Sequence, residues 1–144
     1  MKLRNDFVTN SSSSSFVIAY RNMPDVDKET LSKYPFIAVF PKMIESVLKF
    51  EGSCGETEEA NIFHNKEEYD KYFMDRYGWS KTKTIHDIID DDDYLKELYH
   101  KIIKYINDGF IIAEKRVDYS DEGTQGIIRM LAKDNDSFIL LEDD

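Results

Sequence analysis

No uninterrupted apolar run in this chain is longer than five residues, and that property narrows the folds open to it. A membrane-crossing helix needs about 20 consecutive apolar residues, so no span is expected. Runs of four to eight bounded by turn residues have instead the length of buried strands. Four are present: residues 16–20 (FVIAY), 36–40 (FIAVF, between Pro35 and Pro41), 110–113 (FIIA, able to continue to Val117) and 138–141 (FILL). Each predicts a strand.

Helical spacing fills the intervals. Residues 27–34 allow one or two turns before Pro35. Met43, Ile44, Val47, Leu48 and Phe50 recur at a helical period over residues 42–50, which Gly52 ends. Residues 51–60 (EGSCGETEEA) have no period and read as an exposed acidic loop, followed by a brief extended piece at 61–64. Asn65 suits the N-cap of a helix over 66–77, with Glu67 and Glu68 at its positive end and Gly78 as its stop. Tyr69, Tyr72, Phe73 and Tyr77 share its apolar face. Residues 84–108 split in two, because Ile85, Ile88 and Ile89 fall out of phase with Leu95, Leu98, Tyr99, Ile102 and Ile106. The break lies at residues 90–93, four consecutive aspartates that open the second helix. A turn at 118–123, a helix over 124–133 with Ile127, Ile128 and Leu131 on one face, and a turn at 134–136 complete the pattern.

Four strands and about four helices without strict alternation predict an α+β fold, a single small sheet of about four strands packed against helices. At 144 residues the expected organisation is a serine-rich leader over 1–15 and a single acidic α+β domain over 16–144. Hydrophobic content of 41% and aromatic content of 13% exclude a disordered chain. The single cysteine, Cys54, has no internal disulfide partner, and no apolar core follows the cations of residues 1–6. Both features fit a cytoplasmic protein without a secretory signal.

Charge is distributed unevenly. Residues 1–50 hold 7 Lys/Arg against 5 Asp/Glu, whereas residues 51–144 hold 12 against 24, giving +2 and −12 within the net −10. Such a field repels nucleic acid and anionic membrane and attracts basic partners.

The most unusual string is residues 4–18, RNDFVTNSSSSSFVI. Five serines contribute nothing to a core, and their hydroxyls compete for local backbone hydrogen bonds. Residues 9–15 therefore read as a loop or unpaired extended segment anchored by Phe7, Val8 and Phe16. A phosphate cradle would use glycine, and there is none here. A serine nucleophile would need a base that nothing nearby supplies; phosphorylation would add acidity. Arg4, Asp6, Phe7, Val8, Thr9, Asn10, Ser11, Ser12, Ser13, Ser14, Ser15, Phe16 and Val17 resemble a recurring N-terminal signature of uncharacterised proteins from Gram-positive bacteria and their phages. Beyond the signature those proteins differ from one another. The resemblance implies a portable address or regulatory tag on a phage or mobile-element accessory protein.

Chemical constellations are sparse. A calcium loop starting at Asp90 puts Leu95 where glycine is needed and Lys101 where a bidentate Glu belongs. One starting at Asp118 places Arg129 at that last position, so residues 118–123 read as an acidic turn. Glu51, Glu56, Glu58 and Glu59 push the Cys54 thiol away from the thiolate that nucleophilic work requires. His64, His86 and His100 lack the spacing of a helical metal pair. No catalytic residue, metal site or cofactor is expected. Tyrosines crowding residues 69–105 among carboxylates suit a protein interface. The expected function is a non-enzymatic binding protein whose acidic surface occupies a basic site on a host or defence protein, in the manner of a nucleic-acid mimic. Asp90, Asp91, Asp92, Asp93, Tyr94, Tyr99 and Tyr105 form the expected contact. Direct nucleic-acid or membrane binding is not expected. The alternatives are a small-molecule or nucleotide binder, or metal-dependent hydrolase, using Arg116 and Arg129, and a structural assembly subunit.

Overall fold

The computed structural model describes residues 13–21, 27–52, 55–78, 84–133 and 136–143. Along the chain lie β1 (Ser13–Tyr20), α1 (Lys28–Lys33), a 3-10 turn (Pro35–Val39), α2 (Phe40–Lys49), β2 (Asn61–Phe63), α3 (Lys66–Tyr77), α4 (Ile85–Asp90), α5 (Asp93–Asn107), β3 (Ile111–Asp118), α6 (Glu122–Ala132) and β4 (Phe138–Asp143). The strands form one antiparallel sheet in the order β2-β3-β1-β4, an α+β fold. In the β1–β4 pair, Val17 opposes Glu142 and Ile18 opposes Leu140, so Leu141 is an extra residue on β4. That bulge bends an edge strand, a common way of discouraging unwanted strand addition.

Two expectations are corrected. The run at 36–40 is not a strand: Pro35–Val39 form the 3-10 turn and Phe40 begins α2, with Pro41 in its first turn. A proline there gives up an N–H that has no helical partner anyway, whereas inside a sheet it would break the ladder. Second, Ser13 to Ser15 belong to β1 rather than to an unpaired leader, and Ser14 is buried. Serine is small enough to alternate into the core side of a strand whose apolar residues come directly after it. Residues 1–12 of the leader lie outside the described residues, as does Cys54.

The chain divides into two compact units, residues 1–61 with 113–144, and residues 62–112. In the first, Phe16 and Ile18 of β1, Leu48 of α2, Val117 of β3, Ile128 of α6 and Phe138 of β4 are almost wholly buried. Each such side chain contributes about 1.5–3 kcal/mol. In the second, aromatic rings pack together: Phe73 meets Tyr99 edge-on at 5.2 Å, and Phe63 meets Tyr69 at 5.4 Å. Ile88, Ile89, Leu98 and Ile102 are buried in the same unit.

Candidate docking surface

The four aspartates sit at the joint between α4 and α5, and local chemistry explains the joint. Thr84 caps α4 through a reciprocal box: its hydroxyl accepts from the Asp87 N–H while the Asp87 carboxylate accepts from the Thr84 N–H at 2.9 Å. The aspartates do not all open the second helix as expected: Asp90 is the last residue of α4 and Asp91 its C-cap. Asp92 then caps α5, its Oδ1 accepting from the N–H groups of Tyr94 at 3.0 Å and Leu95 at 3.1 Å. Asp93 occupies the first turn, where the helix dipole favours a carboxylate. All four are exposed, and none joins a salt bridge with another described residue. Elsewhere in this unit Lys66 pairs with Asp70 and His64 lies against Glu68.

The three tyrosines expected at the contact separate. Tyr94 is 52% exposed, beside the aspartates. Tyr99 is buried, its hydroxyl donating to Asp70 Oδ1 at 2.6 Å while Lys66 Nζ donates to Asp70 Oδ2 at 2.5 Å. Burial, then the bond to Asp70, pushes the Tyr99 phenol up to about 12. Tyr105 is half-buried and packs edge-on against Phe110 at 5.0 Å. The fold therefore groups Asp90, Asp91, Asp92, Asp93 and Tyr94, and commits Tyr99 and Tyr105 to packing.

The other candidates are occupied. Arg116 lies 3.6 Å from Glu56 and 3.8 Å from Glu58. Arg129 holds Asp143 with two bonds of 2.8 and 2.9 Å and lies over the Phe16 ring. In the 118–123 turn, Asp118 accepts from Ser120 Oγ at 2.5 Å and from the Ser120 and Glu56 N–H groups, which hold its carboxyl below the usual carboxylate range. Asp121 accepts from Thr57 and from the Thr124 N–H. These carboxylates organise a turn. No group of three or more metal-ligating side chains occurs among the described residues. No described helix is long and apolar enough to cross a membrane. His64, His86 and His100 are exposed and scattered.

Lys115 lies outside the residues that the sequence singles out. Its side chain is fully buried, and its ammonium donates to the carbonyls of Leu48 at 3.3 Å, Glu58 at 2.5 Å and Phe50. All three N–H donors of the ammonium are matched. Burial pushes the amine below the usual lysine range, opposed by Asp121, Glu59, Glu51 and Glu58. With its protons engaged and its stem enclosed, it serves as an internal brace. A signal was available: Ala113, Lys115 and Val117 alternate on one face of β3, so an inward lysine was implied.

No family model, curated protein or solved structure matches this chain significantly.

Proposed function

We propose that this protein is a non-enzymatic binder whose exposed aspartates at the α4–α5 joint, with Tyr94 beside them, engage a basic surface on a protein partner. The observation that supports this reading is that Asp90, Asp91, Asp92 and Asp93 stay solvent-facing and unpaired with any described cation, next to an exposed aromatic ring. Four like charges held together by helix caps repel one another, and a cationic partner relieves that repulsion as it docks. Tyr94 adds buried area with little rotamer loss.

The resemblance of residues 4–17 to a phage-associated signature suggests a host or defence protein as that partner. The test is affinity capture on the immobilised full chain from a bacterial lysate at low salt. The control is a variant carrying Asn at positions 90–93, since Asn keeps the cap at 92. Captured partners should bind at least ~10-fold more weakly between ~50 and ~300 mM salt and be lost on the variant. Capture indifferent to both would reject the proposal.

A further inference from the structure

Helix α6 buries Ile128 and Leu131, while Gly123, Gly126 and Met130 lie on its exposed side with Ile127 at the margin, only partly covered rather than sharing the burial of Ile128 and Leu131. Ile127 is 39% exposed and Met130 59%. A Cβ built on either glycine meets no described atom within 4 Å, and neither glycine has a positive φ. Packing among the described residues therefore gives no reason for glycine at two exposed helical positions, where it is less stable than alanine. Bare backbone beside two protruding apolar side chains has the relief of one half of a helix–helix seam.

The spacing of this face identifies the other half. In an antiparallel pair centred between Gly126 and Ile127, Met130 of one copy comes level with Gly123 of the other, knob against gap. Glu122 and Lys133 are both exposed, at opposite ends of the helix. At about 100° per residue they flank the same side of the face, and two-fold symmetry preserves that side. Lys133 of each copy then lies within about two residues' rise, ~3 Å, of the level of Glu122 in the other. Two ion pairs form, and the helix dipoles run opposed. Arg129 does not compete for Glu122, because Asp143 holds it.

We propose that α6 is a self-association seam through which two copies of this chain pair antiparallel about a two-fold axis. The contact is small, so its dissociation constant should be on the order of 10–100 µM. The test is sedimentation of the full chain from ~5 to ~500 µM at ~0.15 M salt, where the net negative charges are screened over ~8 Å. The wild type should pass from monomer to dimer mass, and Met130→Glu should stay monomeric with an unchanged melting curve. Glu122→Lys and Lys133→Glu should each weaken pairing several-fold, and their combination should restore it. Gly123→Ala with Gly126→Ala should raise the melting point of the dilute monomer while weakening the dimer at least ~10-fold, a split that a purely structural role of α6 does not produce. Monomer mass throughout, or a dimer untouched by Met130→Glu, overturns the proposal. So does capture of another protein's helix on this face while the chain itself stays monomeric.

Discussion

Lys115 Nζ stands 2.5 Å from the carbonyl oxygen of Glu58, joining the middle of β3 to a segment 57 residues earlier in the chain. The same ammonium reaches the end of α2 through the Leu48 and Phe50 carbonyls. Replacing it with methionine keeps most of the volume and removes the charge and every donor. Three carbonyls then lose that donor in or near the interior, although Leu48 keeps the Ala60 N–H, so Lys115→Met should cost about 2–4 kcal/mol. A lower urea midpoint at unchanged slope is the expected result. Hydrogen exchange should quicken first at the Glu58 and Ala60 amides, which bond to Arg116 and Leu48.

Gly55 has φ +84, and a Cβ there would lie 2.2 Å from Asp118 Oδ2. Gly109 has φ +94 with no described atom within 4 Å of such a Cβ. Both alanine variants incur the left-handed penalty of about 1–2 kcal/mol. Only Gly55→Ala must also displace a carboxylate that accepts from the Glu56 and Ser120 N–H groups. Thermal melts should therefore rank Gly55→Ala clearly below Gly109→Ala.

The Tyr99 phenol is raised to about 12 from an ordinary value of 10.0. A group whose folded value lies above its unfolded one stabilises fully below the unfolded value, and that stabilisation is lost as pH climbs toward the folded one. The advantage of wild type over Tyr99→Phe should thus be constant up to about pH 10 and disappear between about 10 and 12. Lys115, held low by burial, contributes in the opposite sense just below its ordinary 10.5. It is common to both chains and cancels in the difference, which paired alkaline denaturation curves would read.

Asp92 and its neighbour Asp91 should behave differently in isolation. Asp92→Ala removes two hydrogen bonds at the start of α5 and should cost about 1 kcal/mol. Asp91→Ala should fall within about 0.5 kcal/mol of wild type. Chemical denaturation of the two variants separates the capping role from the surface role.

Local chemistry was the legible part. Asn65 capping α3, Gly78 ending it, and the phase slip between Ile89 and Leu95 all act within a few residues, and the structure agrees with them closely. The run at 36–40 was ambiguous for a physical reason: a short apolar stretch has no period with which to distinguish strand from helix. The flanking prolines decided it. The strand period turns Lys115 inward, but the three acceptors that hold it are 57 to 67 residues away, and nothing local marks that cage. At the candidate contact, the aspartates' exposure came from their position at a joint. The inward turn of Tyr99 depended instead on Asp70, a helix away.

The sheet order has a consequence for synthesis. The strand that begins at Ser13 finds its hydrogen-bonding neighbours only in β3 and β4, which leave the ribosome about a hundred residues later. Phe16, Val17 and Ile18 must therefore wait, sticky and unsatisfied, while nearly all the intervening chain emerges. Whatever shields that early segment in the nascent polypeptide governs how much product escapes aggregation, and slowing translation should aggravate the loss.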